Sequence, residues 1–248
     1  MAERWLPTPE DVLTIHYELV EMFARGADPI VPAGARDINL LASACTRPST
    51  SLAGIDKYQT LEQKAAALLH SLIQNHPFHN GNKRTALVAT ITTLARNDRY
   101  FTSDVSDDDI FETVTALADH AFPPPRDSTR GADQVVEALA QWLRSRVAAR
   151  RSDPSTQRTT DFLKRCQSAG AEIKESGASY VISNGRRSVR IGRDSRELTG
   201  QVIKSYLRKL GLSERDTGVP LEEFEQGLTG EQHEIRRFRT VLQRLAHA

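Results

Sequence analysis

Residues 76–85 read HPFHNGNKRT and join two apolar segments that the sequence predicts as helices. The preceding segment starts after Thr60, which can form a capping box with Gln63, and continues as LEQKAAALLHSLIQN with a broad apolar face. The following segment, residues 85–96, reads TALVATITTLAR and is apolar enough to be buried on several sides. The sequence therefore predicts a short polar loop between two core helices.

This loop carries residue types that suit phosphate chemistry. The first turn of a helix has backbone N–H groups without intrahelical acceptors and a partial positive charge, which together favour phosphate. Gly81 can adopt a positive φ and let a ligand approach the backbone, while Lys83 and Arg84 add cations. His76 belongs to the residue type whose ordinary pKa lies near neutrality, so it can accept a proton from an attacking hydroxyl. The pattern indicates phosphoryl or nucleotidyl transfer; a solvated helix start and a packed His-Pro-Phe corner are the alternative.

The composition is that of a soluble globular protein, with 248 residues, 39% hydrophobic and 26% charged. The two cysteines, Cys45 and Cys166, have no metal-ligand spacing and are expected to be buried or half-buried free thiols. No secretory signal and no apolar run long enough for a membrane helix is visible, so we expect a cytoplasmic protein without a membrane partner.

Further apolar repeats predict helices over residues 9–25, 37–45 and 131–149. Between the second of these and the helix after Thr60 lies a long irregular stretch, residues 46–59, rich in Pro, Ser, Thr and Gly. Long loops in compact domains are often functional, so we predict that this one is a flap that contacts a partner.

The stretch HPFHNGNKRTAL resembles the signature of the Fic/Doc superfamily, His-x-Phe-x-Asp/Glu-Gly/Ala-Asn-Gly/Lys-Arg. The flanking sequence resembles the death-on-curing (Doc) branch over roughly residues 6–120. The resemblance implies that His76 is the general base and that Phe78 anchors the loop in the core. It also implies that the phosphates are held by the residues that follow, namely Gly81, Asn82, Lys83 and Arg84.

Two positions distinguish between the reactions known in this superfamily. Lys83 stands where the AMP-transferring members have glycine, and Leu87 stands where their second arginine falls. Both features are similar to the Doc branch, in which ATP is bound with its γ-phosphate towards the attacking hydroxyl. The resemblance implies phosphorylation of a Ser/Thr hydroxyl on a translation factor of the elongation factor Tu type, restrained by an antitoxin chain in trans. Fic-type AMP transfer is the alternative.

Asn80 departs from the superfamily pattern, because an acidic residue that holds Mg²⁺ normally stands there. An amide oxygen is a poorer ligand for Mg²⁺ than a carboxylate, so we expect weak binding of the metal that accompanies ATP. His79 is expected to be an exposed loop residue, and His70 a buried core residue. A catalytically impaired Fic/Doc scaffold with a binding or regulatory role remains a further alternative.

The second half has a different pattern and charge. Residues 1–150 carry 15 Lys and Arg against 19 Asp and Glu, whereas the remainder carries 18 against 13. We predict a linker at residues 151–159, a small domain at 160–213 and a helical tail at 214–248. The small domain shows the order α-β-β-β-α, with strands at AEIKES, ASYVIS and RSVRIG. The overall class is therefore α+β: an all-helical domain over residues 1–150, the small mixed domain and the tail.

The order of elements over residues 160–213 resembles HicA-type toxins, which share the double-stranded-RNA-binding fold. Ser179 stands where the HicA-like catalytic histidine would lie, so ribonuclease activity is not expected. Residues 161–210 contain 11 Lys and Arg against 5 Asp and Glu, which predicts RNA binding. The candidate RNA-binding residues are Arg186, Arg187, Arg190, Arg193, Lys204 and Lys209, with Arg196 and Arg208 nearby. A solvated, ion-paired surface is the alternative.

Overall fold

The computed structural model describes residues 4–125, 129–149, 156–217 and 230–247. The chain divides into two compact units, one of residues 1–150 with 234–248 and the other of residues 151–233. Each unit has its own hydrophobic core. The α+β class is confirmed, because the first unit is largely helical and the second contains a three-stranded sheet.

Within its described residues, the first unit contains six helices before the chain enters the second unit. They are α1 (Pro9–Phe23), α2 (Ile38–Thr46), α3 (Leu61–Asn75), α4 (Asn82–Ala95), α5 (Asp107–Ala118) and α6 (Ala132–Arg144). A 3₁₀ turn at Arg47–Ser49 follows α2, and a small hairpin follows it, formed by β1 (Ser51–Leu52) and β2 (Ile55–Asp56). The hairpin lies within the stretch predicted as a flap.

Helices α3 and α4 form the centre of this unit. Every residue of α4 from Arg84 to Ala95 is buried, as the apolar composition of the segment predicts. The capping box of α3 is confirmed, since the Thr60 side chain accepts the Gln63 amide and the Gln63 side chain accepts the Thr60 amide. Helix α4 begins at Asn82, three residues before the predicted start, so the end of the quoted motif forms its first turn.

Two parts of the first unit differ from the sequence prediction. The helix expected over residues 131–149 ends at Arg144, and β4 (Val147–Ala148) then pairs with β3 (Tyr100–Phe101) in an antiparallel ladder. The apolar pattern did not predict helix α5. Its signal is the capping box of Ser106 with Asp109, which stabilises the start of this helix.

The second unit contains α7 (Thr159–Ser168), α8 (Gly200–Leu210) and the short α9 (Glu214–Thr217). Strands β6 (Glu172–Ser176), β7 (Ser179–Asn184) and β8 (Arg187–Gly192) form an antiparallel sheet in that order. The predicted order α-β-β-β-α is confirmed; the resemblance to HicA-type toxins stays a prediction. A further pair, β5 (Gln157–Arg158) with β9 (Glu197–Leu198), was not predicted.

Two more helices, α10 (Gly230–Arg237) and α11 (Arg239–Arg244), close the described chain. Phe238, Val241, Leu242 and Leu245 are buried in the core of the first unit. The ring of Phe238 meets that of Phe101 edge to face, with centroids 5.4 Å apart. This part of the tail therefore packs on the first unit. Residues 150–155 and 218–229, which include most of the predicted linker and part of the predicted tail, lie outside the described residues.

Both cysteines are buried and free, as expected, and burial raises the pKa of each thiol to about 12. Neither thiol is therefore a nucleophile at neutral pH. Across the part of the chain that the structure describes, no helix has the length and apolar character needed to cross a bilayer.

Candidate functional site

The site is built on the loop between α3 and α4. His76 ends α3 in the left-handed conformation, with φ +46° and ψ +57°, and its side chain is exposed. Gly81 precedes α4 with φ +74°, so the chain takes a left-handed turn at both ends of the loop. An added Cβ on Gly81 would lie 3.1 Å from two atoms of the buried Ile30 side chain. Glycine therefore gives both the backbone conformation and the close approach of the loop to Ile30.

The middle of the loop is anchored by Phe78. Its ring is 2% exposed and stacks on His16, with centroids 4.1 Å apart and 10° between the planes. The Asn82 side chain holds the Phe78 backbone at both groups, accepting its N–H at 2.9 Å and donating to its C=O at 2.9 Å. The side chain of Asn82 is thereby occupied within the protein, and its backbone N–H is the group that lies in the first turn of α4.

A second segment of the first unit supports the loop from the outside. The Pro77 carbonyl accepts the backbone N–H groups of Arg36, at 2.7 Å, and of Asp37, at 3.1 Å. The Gly34 carbonyl accepts the His79 amide at 3.2 Å, and Ala35 forms an isolated antiparallel bridge with Phe78. Together these contacts hold the backbone between His76 and Gly81 in one conformation.

The N-terminus of α4 is left open by its cap residue. Helices α1, α2, α3 and α5 have N-cap residues whose side chains accept a first-turn amide: Thr8, Asp37, Thr60 and Ser106. The N-cap residue of α4 is Gly81, which has no side chain to do so. The first turn of α4, with the half-buried Lys83, can therefore present backbone amides and positive charge to an anion.

The surroundings of His76 favour its neutral form. Burial lowers its pKa below the ordinary value of 6.5, and the positive charges of Arg36 and Lys83 lower it further. A neutral imidazole can accept a proton, so at neutral pH His76 is in the form that a general base requires.

Asn80 is engaged at both ends of its amide. Its Nδ2 donates to the Val31 carbonyl at 3.0 Å, and its Oδ1 accepts the Gly81 amide at 2.6 Å. Among the described residues, no group of three His, Cys, Asp or Glu side chains is arranged to hold a metal ion. The residues of the loop therefore do not fit a Mg²⁺ held by the protein, and we assign no step to such an ion.

Arg84 takes a different position from its neighbours in the motif. Its side chain is buried, its Nη1 donates to the Asp28 carbonyl at 3.0 Å, and its guanidinium lies 5.1 Å from the centroid of the Phe23 ring. It lines a cavity of about 320 Å³ together with Arg244 and His247. The expected phosphate contact of Arg84 stays a prediction, and the contacts seen here are those of a residue that holds the start of α4 against the loop after α1.

His16 and Thr85 support the loop but were not singled out from the sequence. The Gly34 amide donates to His16 Nε2 at 3.0 Å, so the neutral ring carries its proton on Nδ1, which donates to Thr85 Oγ1 at 3.0 Å. Burial, followed by the charge of Arg84, lowers the pKa of His16 to about 4. The sequence feature that could have identified His16 is a histidine within the apolar stripe of α1.

The hairpin predicted as a flap is anchored at its base and exposed at its tip. Leu52 is 83% exposed and Ile55 is 67% exposed. At the base, Arg47 Nε donates to the Tyr58 hydroxyl at 3.1 Å, and that hydroxyl donates to Asp133 at 3.2 Å. Arg47 Nη1 also donates to Nδ1 of His70, which is buried as expected, at 3.1 Å. The hairpin thus presents an apolar tip on a fixed base.

The predicted RNA-binding residues are distributed around the second unit. Arg187 lies against Gly211 at the end of α8 and pairs with Asp216 at 3.5 Å, whereas Arg193 pairs with Glu175 at 3.1 Å. These two arginines lie at opposite ends of β8, about 20 Å apart at the usual rise per residue. The remaining members are in the turn before β8, on the open face of the sheet and on α8: Arg186, Arg190, Lys204 and Lys209.

Two comparisons with known proteins bear on the first unit. Residues 6–94 match the model of the Fic/DOC family. Toxin Doc of Mycolicibacterium smegmatis is 45% identical to this chain over 83 residues, which are 34% of this chain and 64% of that protein. The chain thus spans just under two thirds of the length of this relative. The family match includes the loop with His76.

Proposed function

From the Fic/Doc domain at residues 6–94, we propose that this protein is a Doc-like toxin that transfers phosphate from ATP to a Ser/Thr hydroxyl of a translation factor. The observation that carries the proposal is the pairing of two groups on one fixed loop. His76, held neutral, stands at one end of the loop, and the open first turn of α4 stands at the other. A proton acceptor at one end of the loop and an anion site at the other suit an attack by a hydroxyl on a phosphate.

In the proposed reaction the substrate hydroxyl oxygen attacks the γ-phosphorus of ATP. The hydroxyl proton passes to the imidazole of His76, the bond from the γ-phosphorus to the β,γ-bridging oxygen breaks, and ADP leaves. The backbone amides of the first turn of α4 and the ammonium of Lys83 hold the phosphate oxygens. The imidazolium of His76 returns its proton to water after the transfer.

Lys83 supports transfer of the γ-phosphate over transfer of AMP. It occupies the first turn of α4, where a glycine would leave room for the α-phosphate. A lysine there adds bulk and charge that favour the reversed placement of ATP, as expected from the resemblance to the Doc branch. AMP transfer would give a different product mass, so mass spectrometry distinguishes the two reactions.

The exposed apolar tip of the β1–β2 hairpin supports a protein substrate. Leu52 and Ile55 offer apolar surface that a small nucleotide does not need, on a hairpin whose backbone edge can pair with an extended segment. We place the reaction in the cytoplasm, where translation factors such as elongation factor Tu are found. An activity of this kind has to be restrained in the producing cell, and we propose an antitoxin chain in trans as the restraint.

The proposal is tested by intact mass spectrometry of elongation factor Tu after incubation with the full-length protein, ATP and Mg²⁺. We expect a gain of about 80 Da, which is one phosphate, and no gain with the His76→Ala variant. A gain of about 329 Da would show AMP transfer and overturn the assignment to Lys83. A whole-lysate digest treated in the same way covers substrates other than elongation factor Tu.

The Asn80→Asp variant separates an impaired enzyme from a protein without this chemistry. If the natural chain is inactive and Asn80→Asp restores a His76-dependent mass gain, the reaction class is supported and the weakness lies at the metal position. If neither protein modifies any lysate component, the transfer proposal fails. A binding or regulatory role for the Fic/Doc scaffold would then be favoured.

A further inference from the structure

A cavity of about 360 Å³ lies in the second unit, at the start of α7. Arg158, Arg193 and Arg196 line it, together with Thr159, Thr160 and the ring of Tyr180. Arg158 is not one of the RNA-binding residues predicted from the sequence, and Arg196 lies beside them; the β5–β9 pair brings the two arginines close together. The cavity is far along the chain from the Fic/Doc domain, and the inference below does not depend on the transfer reaction.

The start of α7 can offer an anion both backbone N–H groups and arginine side chains. This helix has 10 residues, and its cap residue Arg158 makes no side-chain bond to the first turn. The Thr159 amide donates to the Arg196 carbonyl at 2.9 Å, and Thr160, the next residue of the turn, also lines the cavity. The partial positive charge of the helix end acts in the same direction as the arginines.

The Thr159 hydroxyl gives the second, independent sign of a ligand. Thr159 is 3% exposed, and its Oγ1 has no hydrogen-bond partner among the described residues. A buried hydroxyl without a partner is unfavourable, and native structures rarely leave one unless a ligand or water completes it. Thr159 is one of the residues that line the cavity, so a ligand bound there would lie next to this residue.

The charge of the lining is strongly positive. The lining contains three guanidinium groups and one carboxylate, that of Glu197. Glu197 lies opposite Arg158 in the β5–β9 pair. Arg193 also pairs with Glu175 at 3.1 Å, but both side chains are exposed and such pairs are weak. Asp161 lies in the first turn of α7 and reduces the positive field there. The fork shape of a guanidinium matches two oxygens of a phosphate, which a lysine cannot do.

We propose that this cavity is a phosphate-ester site, in which Thr159, the first turn of α7 and the guanidiniums of Arg158 and Arg196 hold one phosphate group. Tyr180 lies beside the site with Arg193 over its ring at 5.6 Å, so a base attached to the phosphate has an aromatic surface to stack on. The phosphate belongs either to an RNA chain or to a free nucleotide, and the experiment separates the two.

Binding is measured by fluorescence anisotropy with a labelled single-stranded RNA of about 12 nucleotides, a length that one small domain can cover. Full-length protein in the His76→Ala form is used, so that no transfer interferes. We expect Arg196→Gln and Arg158→Gln each to weaken binding about tenfold. Lys164→Gln is the control, since it removes an exposed positive charge from α7 that does not line the cavity. It should change the affinity less than about twofold.

Thr159→Val tests the buried hydroxyl directly. Valine keeps the shape of threonine, and no protein partner is lost, so the thermal midpoint should not fall, while binding should weaken about fivefold. Unlabelled inorganic phosphate and AMP are added as competitors. Competition by either one, with the same dependence on Arg196, identifies a small phosphate as a sufficient ligand; competition by RNA alone identifies the polymer.

Two results would overturn the proposal. One is the absence of binding to RNA, AMP and inorganic phosphate alike. The other is an equal loss of affinity in Lys164→Gln and Arg196→Gln, because binding would then follow the net charge of the unit and no particular cavity. Either result leaves the transfer reaction at His76 untouched.

Discussion

The imidazole of His16, on α1, stacks on the ring of Phe78, with 4.1 Å between the centroids and 10° between the planes. His16 also joins Gly34 to Thr85 through its two ring nitrogens, at 3.0 Å each. One buried histidine thus connects α1, the loop after it, the His76 loop and α4. The position of the candidate base therefore depends on a residue that is distant in sequence and takes no part in the proposed chemistry.

The first prediction concerns acid stability. The pKa of His16 is about 4 in the folded protein against 6.5 ordinarily, so the unfolded chain binds the proton more readily. Its stabilising contribution is complete above pH 6.5 and is lost as the pH falls towards 4. Between pH 7 and pH 5 this loss amounts to about 2 kcal/mol.

His16→Gln should therefore be less stable at pH 7 and should lose less stability than the natural chain on moving to pH 5. Urea unfolding at the two pH values measures both quantities. Burial also lowers the pKa of His70 to about 4. His70 remains in the variant and still contributes to the change of the unfolding free energy with pH. An unchanged pH slope in His16→Gln would contradict the assignment of His16 as a neutral, buried connector.

The second prediction separates two effects of Gly81. Gly81→Ala places a Cβ at φ +74° and 3.1 Å from buried Ile30, whereas Gly54→Ala places one at φ +77° with nothing within 4 Å. Gly54→Ala should cost about 1 kcal/mol from the backbone alone. Gly81→Ala should cost at least about 1 kcal/mol more, because Ile30 has little room to move. Urea unfolding of the two variants compares them, and equal losses would show that the contact with Ile30 is not restrictive.

Much of the first unit follows from local sequence patterns. The capping box at Thr60 and the apolar runs on either side of the His76 loop predict α3 and α4 because burial and capping act over a few residues. Phe78 was recognised as a loop anchor through the family resemblance. Its partner His16 was not recognised, since the contact joins residues that are 62 positions apart and depends on the packing of α1 on α4.

The site in the second unit was missed for a related reason. Strand alternation predicted β6, β7 and β8, but β5 and β9 have two residues each and carry no periodic signal. Their pairing brings Arg158 next to Glu197 and forms one wall of the cavity at α7. A count of residues in the sequence shows that basic residues outnumber acidic ones in this unit. Which of the basic residues lie around one cavity depends on the folded backbone.

The third prediction concerns the pH dependence of phosphate transfer. The positive charge of Arg36 helps to lower the pKa of His76, so Arg36→Gln should raise that pKa and move the acid limb of the rate profile to higher pH. Initial rates at low substrate from pH 5 to pH 8 measure the shift. Arg25→Gln, which removes an exposed arginine at the end of α1, serves as the control and should leave the limb in place. A limb that Arg36→Gln does not move would indicate that His76 is not the titrating base.

The fourth prediction concerns the hairpin tip. Replacing Leu52 and Ile55 by serine should lower kcat/KM for the protein substrate about tenfold or more, because both side chains are exposed and available for contact. Thermal unfolding should hardly change, since neither residue is part of the core. Met22→Ser removes another exposed apolar side chain, on α1, and is the matched control. Equal rates in all three proteins would exclude the tip as a substrate contact.

The last prediction concerns the returning tail. Phe238 and Phe162 are both completely buried, but Phe238 lies in the core of the first unit and Phe162 in that of the second. Both tryptophans of the chain, Trp5 and Trp142, belong to the first unit, so tryptophan fluorescence reports its unfolding. Phe101 contacts both Phe238, at 5.4 Å, and Trp142, at 6.2 Å between centroids, so the probe lies one residue from the altered site.

Phe238→Ala should therefore lower the free energy of unfolding seen by fluorescence by about 3–5 kcal/mol, the usual cost of removing a buried phenylalanine. Phe162→Ala should leave the fluorescence transition in place and reduce the helical circular dichroism signal of the second unit instead. If Phe238→Ala left the transition unchanged, the tail would not be part of the folded first unit in solution. If it lowered the transition as expected, the final residues of the chain would be required to complete the domain that carries His76, although the family match ends at residue 94.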